Sequence, residues 1–131
     1  MLIRLAPYLL GIEIVITSVF ALVPSDSVLL GFRIWDKAQH TVVFAVLAIT
    51  AGLAYPNSRK AGYVGLLAFG AVIEIMQASL TTTRSGEFLD LLADGMGIGF
   101  GAIAYLLLRQ HFSVIAGPGS NRSSEEVLPP R

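Results

Sequence analysis

The 131-residue chain contains no cysteine. It therefore has no disulfide framework, no thiolate nucleophile and no cysteine-based metal site. Charge is also scarce. Only 14% of the residues are Asp, Glu, Lys or Arg, where an ordinary soluble domain carries about a quarter. The nine acidic and nine basic residues cancel. No basic stripe marks a surface for nucleic acid, and no nucleic-acid partner is expected.

Apolar residues dominate instead. They make up 54% of the chain, and its mean hydropathy is +0.71. One soluble domain of this length would expose large apolar patches and aggregate. A bilayer removes that problem. A hydrocarbon core of roughly 30 Å is crossed by a helix of about 20 mostly apolar residues. Four segments qualify, at 5–23, 38–55, 61–80 and about 91–108. Breakers separate them: Pro24-Ser25-Asp26, then Pro56-Asn57-Ser58, then the stretch from Thr81 to Gly86. Isolated spans in lipid satisfy their backbone groups internally, so they are helices.

The expected fold is an all-α bundle of four transmembrane helices occupying residues 1–112. The remainder, 113–131, reads as a disordered polar tail because it is rich in Gly, Pro, Ser and Glu. Arg4 and the apolar run after it also fit a signal peptide. The length of the run, Glu13 within it and the want of a small-x-small cleavage site favour an uncleaved helix.

Orientation is read from Lys and Arg in short loops. Arg4, Arg59, Lys60 and Arg109 share one side, and Arg33, Lys37 and Arg84 share the other. The small excess puts both termini in the cytoplasm.

Ionisable groups within spans are costly, and they are functional candidates by default. Here they gather at one end of the helices. Asp36, Lys37 and His40 open the second helix, and Glu74 and Gln77 lie near the end of the third. Arg84, Glu87 and Asp90 lie between the third and fourth helices, and Asp94 falls in the first turn of the fourth. With a rise of 1.5 Å per residue, Glu74 sits about 9 Å below Leu80 along its helix. His40 and Asp94 are similarly shallow, so one polar layer at one membrane face collects them all. In the orientation above it faces outward. Spacing supports shared faces. Asp36 and His40 are i, i+4, as are Asp90 and Asp94, while Glu74 and Gln77 are i, i+3. Asp36 is placed to accept a hydrogen bond from His40 and set its tautomer. Arg84 can bridge two carboxylates through its planar fork.

The fourth span contains two overlapping Gly-x-x-x-Gly registers, Gly95 with Gly99 and Gly97 with Gly101. Small residues let helix backbones approach closely in lipid. The expectation is a face packed on the second and third helices, with a homo-oligomer contact as the alternative. No strand precedes these glycines, so they are not a phosphate-binding loop.

These elements in this order resemble a known family. Trp35-Asp36-Lys37-Ala38-Gln39-His40 with Phe44-Ala45-Val46-Leu47 is similar to the opening of a VanZ-like domain. Glu74-Ile75-Met76-Gln77 resembles its third-helix motif, and Arg84-Ser85-Gly86-Glu87-Phe88-Leu89-Asp90 the motif that follows. Asp94-Gly95-Met96-Gly97 with Gly101 resembles the opening of its last helix. The resemblance covers roughly Asp36 to Leu108. It implies a small multi-pass protein of the bacterial inner membrane, in a family whose namesake is associated with resistance to the glycopeptide teicoplanin. The chain departs from the family at Asp94, where asparagine is usual, and so adds a negative charge.

Three functions compete for the polar layer, besides proton or ion translocation, which the almost purely apolar inner halves of the second to fourth helices argue against. The first is a binding site for an envelope lipid or a peptidoglycan-related ligand. Arg84 and Lys37 would hold an anionic group, and His40, Glu74 and Gln77 would shape the pocket. The acidic residues Asp36, Glu74, Glu87, Asp90 and Asp94 outnumber Lys37 and Arg84, which favours an amine-bearing or cation-bridged ligand. The second is a purely structural ion-pair latch. The third is an enzyme, with His40 and Glu74 as general base and acid. A variant of the third places a divalent metal among Asp36, His40, Glu74 and Asp94, but no His-Glu-x-x-His motif supports it. Neither a metal nor a cofactor is expected, and binding is preferred to catalysis. Glu13 stands apart in the first helix, with a hydrogen bond to a neighbouring helix as its simplest role.

Overall fold

The computed structural model describes residues 2–22, 33–80 and 88–115, with side chains at 4–22, 37–80 and 88–111. It contains four helices, α1 (Leu2–Leu22), α2 (Arg33–Ala54), α3 (Arg59–Leu80) and α4 (Phe88–Ile115). Each holds a span long and apolar enough to cross a membrane, and the shortest, Lys37–Ala54, has 18 residues. At 1.5 Å per residue that span covers about 27 Å, close to the thickness of a bilayer core. The chain is a multi-pass membrane protein with an all-α, four-helix fold.

The helix ends follow from local chemistry. Pro7 lies inside α1; its missing N–H forfeits one backbone bond, a loss that transmembrane helices tolerate. Pro56 disfavours helical geometry at Tyr55 and so stops α2. The turn then closes through Ser58 N–H donating to the Tyr55 carbonyl at 3.1 Å. Ser58 starts α3, its carbonyl accepting from Gly62 N–H at 3.2 Å. Arg59 Nη1 donates to the Pro56 carbonyl at 3.2 Å and ties the turn to the helix it opens. At the far end, α4 runs past the expected limit at Leu108 and into the stretch read as a polar tail. No breaker interrupts the sequence there until Gly117-Pro118. His111, expected beyond the last span, is on this helix and exposed.

The most extensive interface joins α2 to α4. Among the described residues α1 touches α2 and α3 but not α4, so α1 and α4 flank the α2–α3 pair from opposite sides. A small apolar core of Leu10, Phe44, Leu47, Ala48, Ala51, Leu66 and Ile98 joins all four helices. Outward-pointing side chains such as Phe20, Val64, Ile75 and Ile103 are exposed, as suits a surface that meets acyl chains rather than water.

One face of α4 carries Asp90, Asp94, Gly97, Gly101 and Tyr105, all buried. Their spacing of three and four residues keeps them on one side of the helix. Along α2 they meet, in the same order, Lys37, His40, the stretch 41–45, Ala48 and Gly52. The two helices therefore run parallel, with both N-terminal ends at the same end of the bundle.

Glycine makes the approach possible. A Cβ at Gly97 would strike the Thr41 carbonyl oxygen and stand 3.1 Å from the Ala45 amide nitrogen. One at Gly101 would strike the Ala45 carbonyl oxygen and stand 2.8 Å from Ala48 Cβ. Gly99 has nothing within 4 Å, and Gly95 only Leu67 Cδ1 at 3.9 Å. Of the two expected registers, only Gly97 with Gly101 packs closely inside the bundle. Gly95 and Gly99 are rotated off that face by the helical repeat and make no tight contact.

Candidate functional site

The polar layer forms where α2 and α4 begin and α3 ends. At its rim, Lys37 Nζ donates to Asp90 Oδ1 at 2.7 Å. The Lys37 side chain is 38% exposed and that of Asp90 only 8%, so the cation faces outward and the carboxylate inward. One helical turn deeper, His40 Nδ1 lies 2.9 Å from Asp94 Oδ1. Asp94 is fully buried, with no exposed surface at all. Thr41 completes the seam, its hydroxyl donating to the Lys37 carbonyl at 3.0 Å and approaching the Ala93 carbonyl at 3.3 Å.

The third helix adds Glu74. Donor atoms of His40, Glu74 and Asp94 all lie within 4.8 Å of one another, so the three come from three helices to one point. Room for this comes from Gly70, one turn before Glu74. A Cβ there would meet Asp94 Oδ2 and stand 3.3 Å from Phe44 Cζ. Phe44 itself packs on Phe69 with ring centroids 6.1 Å apart, forming the apolar floor. Asp94 Oδ2 is buried and, among the described residues, has no hydrogen-bond partner.

Lys37, His40, Glu74, Asp90 and Asp94 thus assemble into one site. Other expected members behave differently. Gln77 is buried, but its Nε2 donates to the Ala21 carbonyl of α1 at 2.8 Å. Three residues along a helix leave two side chains about 60° apart around its axis, enough to send Glu74 towards α4 and Gln77 to α1. Gln77 therefore anchors the end of α1. The sequence reading gives His40 the partner Asp36. The structure provides Asp94 at Nδ1, and the Asp36 side chain lies outside the described ones. Arg84 and Glu87 also lie outside the described residues.

Glu13 is separate from this layer. Its Oε1 accepts a hydrogen bond from Thr50 Oγ1 of α2 at 3.1 Å. That bond joins α1 to α2 within the span, the simplest role expected for it.

Sequence reasoning did not single out Gly70, Thr41 or the Gly52–Tyr105 contact. At Gly52 an added Cβ would lie 2.8 Å from the Tyr105 ring. Gly70 carried a signal, since it lies four residues before Glu74 and so on the same face.

Chemically, the site offers an imidazole oriented by a carboxylate, beside a second carboxyl group. Such a set can bind a cation, hold an amine, or exchange a proton with a bound group. Fold and site together define a multi-pass membrane protein with a buried acid–histidine cluster near one membrane face. The chain matches no protein-family model, no curated protein and no solved structure.

Proposed function

We propose that the chain is a VanZ-like cell-envelope protein of the bacterial inner membrane, with both termini in the cytoplasm. In this reading it binds a lipid-linked or peptidoglycan-related ligand at the outward-facing polar layer. One observation carries the reading. Lys37, His40, Glu74, Asp90 and Asp94 converge from three helices at one end of otherwise apolar spans. Charged groups in membrane spans cost several kcal/mol each, and holding helices together in lipid needs only small residues and modest hydrogen bonds. A cluster this polar is more than packing requires. The half-exposed Lys37 at the rim, beside Asp90, suits an anionic group of the ligand, and the acidic interior suits an amine or a bridging cation.

Native mass spectrometry of the chain released gently from its own membranes tests this, beside Lys37→Ala and Arg84→Ala. A discrete added mass on the wild type, lost in the variants, is the expected result. Chains that carry no added mass, or the same bulk phospholipids in all three samples, overturn it.

A second reading is favoured by the two pairs Lys37–Asp90 and His40–Asp94, which both tie α2 to α4. In it the layer is a latch that fixes the register of two parallel helices. Loss of folded protein from the membrane in Lys37→Ala would support the latch.

A further inference from the structure

We propose that His40, Glu74 and Asp94 form a binding site for one divalent metal ion of the zinc, manganese or iron(II) class. This goes beyond the ligand reading and stands without it.

Three donors of the right kind, an imidazole nitrogen and two carboxylates, arrive from α2, α3 and α4 with their atoms within 4.8 Å of one another. Bonds of about 2.0–2.2 Å around one ion put its donor atoms roughly 3–4 Å apart. His40 Nδ1 and Asp94 Oδ1, a hydrogen-bonded pair at 2.9 Å, are close to that scale; the ion would take the place of the proton between them, which is released to solvent, and side-chain rotation would bring in the third donor.

A second observation is independent of the clustering. Asp94 Oδ2 is fully buried and accepts no hydrogen bond among the described residues. A carboxylate oxygen in that state costs free energy unless something positive meets it. The backbone at Gly70 leaves space for this oxygen. A divalent ion between two carboxylates and a neutral imidazole makes an electroneutral group, which is what a low-dielectric site tolerates.

The donor set chooses the metal. Without thiolate, a soft ion such as Cu(I) is disfavoured. Calcium takes six to eight oxygen ligands, more than three side chains supply. Mixed imidazole and carboxylate donors suit zinc, manganese and iron(II). Three protein donors leave at least one coordination position open. The proposal replaces the sequence-based expectation of no metal, and of the four residues considered there the cluster contains His40, Glu74 and Asp94.

The test uses the untagged full chain in detergent, stripped with chelator and equilibrated with Zn2+ or Co2+ alone. About one Zn2+ per chain is expected. Asp94→Asn and His40→Gln should each weaken it by at least about tenfold, the loss that even removal of an outer-shell partner reaches. His111→Gln should bind like the wild type. Co2+ should give visible ligand-field bands with the wild-type chain, altered in Glu74→Gln. These bands decide the matter even where Asp94→Asn fails to fold. A wild-type chain without such bands, or Zn2+ binding that survives both Asp94→Asn and His40→Gln, overturns the proposal. Metal uptake without any discrete ligand mass defeats the ligand reading and leaves this one standing.

Discussion

The carboxylate of Asp94 fills the space that a side chain at Gly70 would take. Two helices therefore share one small volume, with a carboxyl group from α4 seated against the bare backbone of α3. That seat places Asp94 within reach of both His40 and Glu74, and it makes a silent-looking glycine a determinant of the site.

Gly70→Ala should accordingly act on the site. Alanine improves helix propensity by about 0.5–1 kcal/mol, but overpacking typically costs about 1–3 kcal/mol. A net loss of stability is expected, read by unfolding the chain in mixed micelles, together with weaker metal uptake. A variant as stable as the wild type with unchanged Zn2+ binding would show that Asp94 does not depend on that seat.

The two glycine registers of α4 should separate cleanly. Gly97→Ala and Gly101→Ala each drive a methyl group into backbone carbonyls of α2, and each should cost about 1–3 kcal/mol. Gly95→Ala and Gly99→Ala meet nothing closer than 3.9 Å and should stay within about 0.5 kcal/mol. Cross-linking in membranes gives a parallel reading. Were Gly99→Ala alone to abolish a cross-linked dimer, the outer register would be a homo-oligomer contact.

Thr50 and Glu13 hold α1 to α2 within the membrane span. Hydrogen bonds between transmembrane helices average about 0.6 kcal/mol and reach about 1.7. Thr50→Val should cost an amount in that range, and a double-mutant cycle with Glu13→Met, which removes the accepting oxygen, should show coupling. Strictly additive effects would mean that the bond contributes nothing to the association of α1.

Orientation can be read directly because the chain has no cysteine of its own. With Ser27→Cys and Ser58→Cys introduced singly, an impermeant thiol reagent applied to intact cells should label the first and spare the second. Labelling at position 58 alone would invert the proposed topology and turn the polar layer towards the cytoplasm.

The four spans, the all-α class and the level of the polar layer were legible in the amino-acid order alone. Span length depends on hydropathy summed along the chain, and depth on a fixed rise per residue, so both are local quantities. It also placed Asp90 and Asp94 on one face, because helical periodicity alone decides that. Which helix each face meets emerged from the packing of the bundle. Glu74 and Gln77 sit three residues apart on one buried side, yet one joins His40 and Asp94 while the other bonds the Ala21 carbonyl. Gly97 and Gly101 pack tightly where Gly95 and Gly99 do not, although both pairs have the same spacing. The physical reason is the same in each case. Periodicity fixes angles around one helix axis, but partners depend on how that axis is rotated and how closely it approaches its neighbours. In lipid, that rotation is set by contacts between helices, and hydrophobic patterning along any one of them carries no record of it.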